Sequence, residues 1–245
     1  EVFHQSIEFD NLPDSFNGIK IVQLSDIHVG SFFDNHKEIE IAIKKVNDLK
    51  PDYIFFTGDM VNNYAWELDG WEEIIGKLKA KHGKYSILGN HDYADYVQWD
   101  DEADKANNLA NLKQRQTKMG FKLLLNESVK LERNGEFIEL LGLENWGKGR
   151  FAKYGDLVKT MKNTATDSFK ILMSHDPSHW DEQVLEKTDI NLALAGHTHG
   201  MQYGVKIGSF QFSPVQFRYP RWAGLYTEKQ QHLYVNRGFG YIGFA

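Results

Sequence analysis

Short apolar runs alternate with longer amphipathic segments along the chain, and this alternation predicts a layered α/β fold. The runs are nearly continuous in Ile, Val, Leu and Phe, which is typical of strands in a sheet that is covered on both faces. We therefore expect a parallel-rich sheet with helices packed on it. The predicted strands are residues 19–24 (IKIVQL), 53–56 (YIFF), 85–88 (YSIL), 169–173 (FKILM) and 190–194 (INLAL).

Other stretches have the periodicity of helices or of hairpins. Residues 121–125 and 137–143 are apolar runs separated by a polar stretch that contains Asn134-Gly135. This dipeptide is a strong hairpin signal, so we expect antiparallel strands to join the parallel ones. Residues 225–236 predict a further hairpin near the end of the chain. Spacing of 3.6 residues predicts helices at residues 36–49, 71–81 and 98–119.

Each of the five predicted strands is followed at once by residues able to bind a metal ion. Taken singly these segments are weak signals, because Asp-x-His and Gly-Asp are common in turns. Together they favour one site, because ligand sites in layered α/β folds lie at the carboxyl ends of strands. The segments are SDIH at 25–28, TGD at 57–59, GNHD at 89–92, SHD at 174–176 and GHTH at 196–199.

Composition narrows the chemistry of such a site. The chain has no cysteine, so a metal ion would be held by nitrogen and oxygen ligands alone. A formal net charge of −6 disfavours extensive electrostatic binding to a nucleic-acid backbone, and therefore disfavours a nuclease function. The apolar runs are all shorter than a membrane span of about 20 residues. With 245 residues, we expect a single domain spanning residues 1–245.

The strand ends together offer seven nitrogen and oxygen ligands, which is enough for two divalent ions that share one carboxylate. Two such ions about 3.5–4 Å apart stabilise an in-line displacement at phosphorus. The shared ligand should be a carboxylate, since it has two oxygens and a full negative charge, and Asp59 is the natural bridge. The candidate ligands are Asp26, His28, Asp59, Asn90, His175, His197 and His199.

The motifs DIH, GD, GNHD, H and GHTH, in this order, resemble those of the calcineurin-like metallophosphoesterase superfamily, which includes purple acid phosphatases and Ser/Thr protein phosphatases. The resemblance extends from Asp26 to His199 and so covers most of the chain. It implies an α/β (α+β) fold, a four-layer αββα sandwich of two mixed sheets. It also implies a phosphoesterase that activates water with a dinuclear metal centre.

The same resemblance implies a role for each motif residue. His91 would assist the leaving oxygen as a general acid, and Asp92 would orient His91 or a neighbouring ligand. One ion would be held by Asp26, His28 and His199, the other by Asn90, His175 and His197, and Asp59 would bridge them.

The identity of the metal is narrowed only in part. Purple acid phosphatases carry an iron-binding tyrosine three residues after the bridging aspartate, where this chain has Asn62, so a purple Fe(III) chromophore is not expected. We expect Mn, with Fe, Zn or a mixed pair as alternatives, because imidazole and carboxylate ligands do not choose among them.

Longer matches resemble a bacterial subgroup of phosphohydrolases whose relatives cleave the pyrophosphate of a UDP-linked acylated glucosamine. These stretches are LSDIHVG, LGNHDY, SHDPSHWDE and AGHTHGMQ. They imply a phosphodiester or pyrophosphate substrate, either a small molecule or lipid-linked. They also imply peripheral membrane association or an anchor upstream of Glu1, and we expect a monomer. The alternatives are a phosphomonoesterase of broad specificity and a non-catalytic metal-binding scaffold, which the complete ligand set disfavours.

Two further loops are candidates for substrate binding. Residues 213–222 are aromatic and basic, and Arg218, Arg221 and Trp222 would bind substrate if this loop borders the metals; otherwise it is a packed surface loop. Residues 144–150 form a Gly-rich loop with Trp146 and Arg150. It lacks the spacing of a P-loop but is a candidate for lining the substrate pocket.

Overall fold

The described part of the chain forms twelve strands and four α-helices. The computed structural model describes residues 1–33, 35–149, 152–200, 205–207, 210–212 and 214–241. The strands are β1 (Ile21–Leu24), β2 (Tyr53–Phe56), β3 (Lys84–Ser86), β4 (Phe121–Leu123), β5 (Glu127–Arg133), β6 (Glu136–Gly142), β7 (Lys170–Met173), β8 (Leu192–Ala195), β9 (Val205–Ile207), β10 (Phe210–Phe212), β11 (Gly224–Glu228) and β12 (Gln231–Val235). The helices are α1 (His36–Asp48), α2 (Glu72–Ile75), α3 (Glu102–Lys118) and α4 (Leu157–Met161).

Two large sheets organise these strands. The first has the order β1-β2-β3-β4 and is parallel throughout its described strands. The second has the order β11-β12-β8-β7-β6-β5, in which the four central strands are parallel and the two edge strands antiparallel. The predicted α/β sandwich of two sheets is confirmed, although only the second sheet is mixed.

Three apolar cores separate four layers, and strand alternation assigns side chains to them. In β2, Tyr53 and Phe55 point into the core between the two sheets, whereas Ile54 and Phe56 point into the core beneath the helices. Successive side chains of a strand face opposite sides of its sheet, so a fully apolar strand fills two cores at once. This is why the central strands read as continuous apolar runs.

The outer layers cover each sheet with amphipathic elements. Helix α1 buries one apolar stripe, Ile39, Ile43 and Val46, against the first sheet, as the 3.6-residue period requires. A π-helical turn, Trp180–Val184, packs Trp180 and Val184 on the outer face of the second sheet. The described residues include no helix with both the length and the apolar character needed to cross a bilayer.

The predicted hairpin exists, but its partner strands differ from those expected. Asn134 and Gly135 form the turn with positive φ values of 50° and 85°, as a two-residue hairpin turn demands. They join β6 to β5, whereas residues 121–123 form β4 in the first sheet. Strand β5 reads ESVKLER and buries only Leu131 fully, so its polar face concealed it in the sequence.

The predicted helix at residues 71–81 is much shorter than its periodicity suggested. Helix α2 ends at Ile75, and the chain continues in tighter turns in which Lys77 and Leu78 donate to carbonyls three residues back. Gly76 follows the last helical residue, and glycine is about 1 kcal/mol less favourable than alanine in a helix. The other predicted helices and strands are found with small shifts of their ends.

The packing of α1 can be tested with one substitution at two positions of the same helix. Ile43→Ala, at a side chain that is 4% exposed, should lower the free energy of unfolding by about 2–5 kcal/mol. Ile41→Ala, at a side chain that is 47% exposed, should lower it by less than about 1 kcal/mol. Urea unfolding measures both. Equal losses would contradict the buried stripe assigned to α1.

Candidate metal centre

The carboxyl ends of five parallel strands meet at one edge of the sandwich, and their loops place imidazoles and carboxylates together. Among the described residues, two groups of three side chains could each hold a metal ion, because within each group the ligand atoms lie within 4.8 Å of one another. The strand ends of the two sheets therefore converge, as the sequence predicts. The first group is Asp26, His28 and His199, and the second is Asp59, His175 and His197.

Asp59 lies between these two groups. Its Oδ2 is 3.1 Å from Nε2 of His175 in its own group and 3.7 Å from Nε2 of His28 in the other. Within the first group, Nε2 of His28 and of His199 are 3.1 Å apart. The Asp59 side chain is almost completely buried. One carboxylate thus faces both groups, which is the position that a bridging ligand must have.

Asn90 adds an amide oxygen to the second group's surroundings. Its Nδ2 donates to the hydroxyl of Tyr96 at 2.7 Å. Its Oδ1 is buried and has no hydrogen-bond partner among the described residues. A buried carbonyl oxygen without a partner costs about 1–3 kcal/mol, and a divalent cation would remove that cost. This orphaned oxygen, with the nitrogen and oxygen donors around it, fits a pair of divalent ions.

Backbone strain is concentrated on these side chains. Five of the seven candidate ligands have positive φ, in a region that non-glycine residues rarely occupy. Such conformations persist where the surroundings over-determine them, and they cluster at functional sites. The bends turn the imidazoles of His197 and His199 into different groups. The five φ values are 53° at Asp26, 51° at His28, 59° at Asp59, 71° at His197 and 49° at His199.

Asp92 fixes the loop that carries Asp59. Its Oδ2 accepts from the backbone N–H groups of Asp59 and Gly89, both at 2.9 Å. Its Oδ1 accepts from Met60 at 2.9 Å and more weakly from Val61 at 3.4 Å. Asp92 ties the ends of β2 and β3 together. It therefore holds the backbone of Asp59 in place, and its part in catalysis stays a prediction.

His91 is held by the same loop. Its backbone N–H donates to Oδ1 of Asp59 at 2.9 Å, and its Nδ1 lies 2.8 Å from the carbonyl oxygen of Asn62. Because a carbonyl only accepts, Nδ1 carries the proton of this hydrogen bond. The ring packs edge-on against His28, with centroids 4.9 Å apart. Nε2 is thereby the nitrogen left to act on a ligand beside the two groups.

The electrostatics of the buried cluster favour cations. Burial alone would raise the pKa of Asp59, but the imidazoles of His175 and His91 outweigh it and hold that pKa well below its usual range. Burial alone would lower the pKa of His175, but the Asp59 carboxylate raises it to about 10. At His28, burial dominates and lowers the pKa to about 4. Asp59 thus keeps its negative charge and draws positive charge to the point between the groups.

Comparison with known proteins assigns the chain to a family. The sequence pattern of the calcineurin-like phosphoesterase family matches residues 19–201, which includes every candidate ligand. The chain belongs to the calcineurin-like phosphoesterase family. Members are metal-dependent hydrolases of phosphoric esters, and the two groups are this chain's candidate sites for divalent ions.

Several relatives are similar to this chain over nearly its whole length. The uncharacterized metallophosphoesterase YkuE of Bacillus subtilis is 32% identical over 98% of this chain and 78% of its own. The transmembrane protein with metallophosphoesterase domain of Danio rerio is 30% identical over 99% of this chain, which spans about half (53%) of that relative. The UDP-2,3-diacylglucosamine pyrophosphatase LpxG of Chlamydia trachomatis is 28% identical over 94% of this chain and 81% of its own.

A solved structure shares the fold. The NAD nucleotidase of Haemophilus influenzae superposes with a TM-score of 0.56 at 17% identity, covering 91% of this chain and 45% of that chain. At this identity the likeness shows the fold alone.

His179 is buried near the second group of candidate ligands, but its ring nitrogens contact other residues. Its Nδ1 lies 3.1 Å from the Ser174 hydroxyl, and its Nε2 lies 3.1 Å from Oε1 of Gln183. Burial lowers its pKa to about 4. His179 is a packed neutral imidazole.

The loop that ends at Trp222 packs against the site rather than presenting all of its side chains to a substrate. Trp222 is buried, and its carbonyl oxygen accepts from Oγ1 of Thr198 at 2.7 Å. Arg221 donates to Asp181 at 2.9 Å and to Glu228 at 3.0 Å. These contacts hold Arg221 and Trp222 within the packing of the loop, and their expected role in substrate binding stays a prediction. Arg218 remains exposed beside Tyr219.

The Gly-rich loop gives a similar result. Trp146 is buried, with its ring 5.2 Å from that of His179 and the Lys153 ammonium 4.3 Å above it. Trp146 therefore packs in the outer core, and its expected role in substrate binding stays a prediction. Arg150 lies outside the described residues.

Three features of the site escaped sequence reasoning. The hydroxyls of Tyr96 and Tyr219 approach Asn90 and His197, each at 2.7 Å, and a lone tyrosine in a loop gives no signal in a sequence. Residues 236–238 follow β12, whose carboxyl end lies beside that of β8. The rule used for the other strands, polar residues directly after a strand, would have found this segment.

The close approach of β2 and β3 loops predicts the effect of a small substitution. A Cβ on Gly89 would overlap Oδ1 of Asp59 and lie 2.7 Å from its backbone nitrogen. Gly89→Ala should therefore displace Asp59 and weaken Mn²⁺ binding by about 10–100-fold in calorimetric titrations.

The matched control is Gly135→Ala in the distant hairpin turn. There φ is 85° and a Cβ meets nothing within 4 Å, so the variant should lose about 1 kcal/mol of stability and keep its metal affinity. Wild-type Mn²⁺ affinity in Gly89→Ala would show that the spacing of Asp59 and Gly89 is not required.

Buried His179 predicts a loss of stability in acid. The unfolded chain binds a proton at this residue near pH 6.5, whereas the folded protein does so only near pH 4. Stability should therefore fall as the pH drops through this window, by up to about 3 kcal/mol from this residue, and be unaffected above it. His179→Gln should lose correspondingly less between about pH 7 and pH 4 in urea unfolding. Parallel losses in both proteins would contradict a neutral buried His179.

Proposed function

We propose that the chain hydrolyses a phosphodiester or pyrophosphate bond with two divalent ions, Mn being preferred. The observation that carries this proposal is the Asp59 carboxylate, which faces both groups of ligand atoms at 3.1 and 3.7 Å. A carboxylate suits two ions because each oxygen can serve one of them, whereas a neutral imidazole serves one. One ion would be held by Asp26, His28 and His199, the other by Asn90, His175 and His197, and both by Asp59.

The protein's own groups prepare the site for an anionic ester. When bound, the ions would supply Lewis acidity to the phosphate and lower the pKa of an attacking water. Asp92 holds Asp59 in place through the amides of two loops. Ser25 donates to Oδ2 of Asp26 and thereby fixes that carboxylate. The chain thus orients its ligands before substrate arrives, which avoids reorganisation during the reaction.

His91 is the proposed general acid. Its Nδ1–H is committed to the carbonyl of Asn62, so Nε2 is the nitrogen that can carry a proton to the departing oxygen. The ring lies against His28 of the first group, within reach of an ester held between the groups. A positioned acid of this kind contributes about 10²–10⁴-fold to a rate.

The substrate class follows from the relatives and is a proposal for this chain. One relative is named a UDP-2,3-diacylglucosamine pyrophosphatase and another a transmembrane protein. We extend from them a lipid-linked or nucleotide-sugar-lipid substrate, together with membrane association of the complete protein. The net charge of −6 argues against a nucleic-acid substrate.

The reaction class is tested with metal-stripped protein. Adding Mn²⁺ should restore hydrolysis of bis(p-nitrophenyl) phosphate, at a higher kcat/KM than for p-nitrophenyl phosphate. The reverse preference would favour the phosphomonoesterase. No metal-dependent turnover of either ester, with Mn²⁺ bound, would favour the non-catalytic scaffold and end the hydrolase proposal.

The roles of Asp59 and His91 are separable by substitution. Asp59→Asn should weaken the binding of both ions, because the bridging negative charge is lost. His91→Ala should keep Mn²⁺ affinity and lose about 10²–10⁴-fold in kcat. His4→Ala, at an exposed histidine, is the control and should match wild type. An unchanged kcat in His91→Ala would remove this residue from the mechanism.

A further inference from the structure

Tyr219 brings a phenol hydroxyl into direct contact with one imidazole of the candidate metal centre. Its oxygen lies 2.7 Å from Nε2 of His197, and the two rings meet edge-on with centroids 5.2 Å apart. Tyr219 is only 8% exposed, so this hydroxyl faces the site. The proposed reaction assigns no task to it.

Nε2 of His197 is the ring nitrogen that faces Tyr219. The nearest carboxylate to Nε2 is that of Asp176, whose Oδ2 is 3.9 Å away, too far for a hydrogen bond. Tyr219 is therefore a hydrogen-bonding neighbour of Nε2. Histidines that bind metals almost always donate their other ring N–H to an oxygen, which fixes the tautomer and the ring orientation.

We infer that Tyr219 is a positioning residue that accepts a hydrogen bond from Nε2–H of His197 and so presents Nδ1 as the ligand nitrogen to the second ion. The inference rests on the proposed dinuclear function and deepens it. Without this acceptor, His197 would lose its preference for the tautomer with a lone pair on Nδ1.

The loop of Tyr219 is anchored so that it can serve this purpose. Thr198, the neighbour of His197, donates its hydroxyl to the carbonyl of Trp222 at 2.7 Å. Arg221 is fixed by Asp181, and its guanidinium stacks 4.5 Å from the ring of Trp180. The loop therefore grips the turn of His197 at two successive residues, through Tyr219 and through Trp222. This explains why an aromatic and basic loop follows the last ligands without offering all its side chains to substrate.

The partner on the other side of the group acts differently. Tyr96 accepts from Nδ2 of Asn90 at 2.7 Å and is about half exposed. An amide keeps its oxygen as the only possible ligand atom, so Asn90 does not need a neighbour to choose that atom. Either ring nitrogen of His197 could bind a metal, so a neighbour that fixes the tautomer matters there. Tyr219 is therefore the more consequential of the two phenols for metal binding.

The inference is tested by Zn²⁺ binding to the intact chain without substrate. Tyr219→Phe should weaken one of the two Zn²⁺ affinities by about 10–100-fold and leave the other within about two-fold, by calorimetric titration. In Zn²⁺-loaded wild type, long-range ¹H–¹⁵N spectra should show His197 protonated at Nε2 and metal-bound at Nδ1. In Tyr219→Phe this pattern should be lost at limiting Zn²⁺.

Tyr226→Phe is the matched control. Its hydroxyl accepts from the backbone nitrogens of Trp222 and Ala223, at 2.9 and 3.3 Å, so it supports the same loop without touching His197. It should keep both Zn²⁺ affinities. Wild-type affinities in Tyr219→Phe, Nε2 bound to the metal, or equal losses in both variants would overturn the role of Tyr219. A wild-type protein that binds fewer than two ions would instead overturn the proposed dinuclear function.

Discussion

The site depends on two buried carboxylates, Asp59 and Asp92, that lie one behind the other. A buried negative charge is costly unless it is hydrogen-bonded or paired. Asp92 is stabilised by backbone amides from two loops, including that of Asp59 itself. Asp59 faces imidazoles, and its buried negative charge favours the binding of cations at the point where the two sheets meet. The other candidate ligands are the groups that would hold those cations beside Asp59.

The strand ends bring those groups to one edge of the fold, and the loops after the strands orient their side chains toward one another. Parallel strands from both sheets finish at the same edge, so short loops suffice to converge on Asp59. Several of these loops place their ligand in a left-handed bend. Close backbone approach, as between Gly89 and Asp59, then leaves little freedom to relax. The tyrosine-bearing loop after β10 completes this arrangement by holding the turn that contains His197 and Thr198.

The sequence predicted the elements whose signal is local. Strand β2 was found at its observed bounds because all four side chains are buried and apolar, and the ligand residues were found because each directly follows a strand. The misses were non-local. Strand β5 is polar on one face, and its role is set by pairing with β6. The contacts of Tyr219 and Trp222 are with residues distant in the chain, which no spacing rule reveals.

The central claim is that Asp59 joins two ions held by the strand ends. It is tested most directly by a crystal structure of the Mn²⁺-loaded protein with anomalous scattering recorded at the manganese edge. If Asp59 bridges two ions, the map should contain two anomalous peaks about 3.5–4 Å apart, with Asp59 bonded to both. A single peak, or two peaks of which only one contacts Asp59, would contradict it.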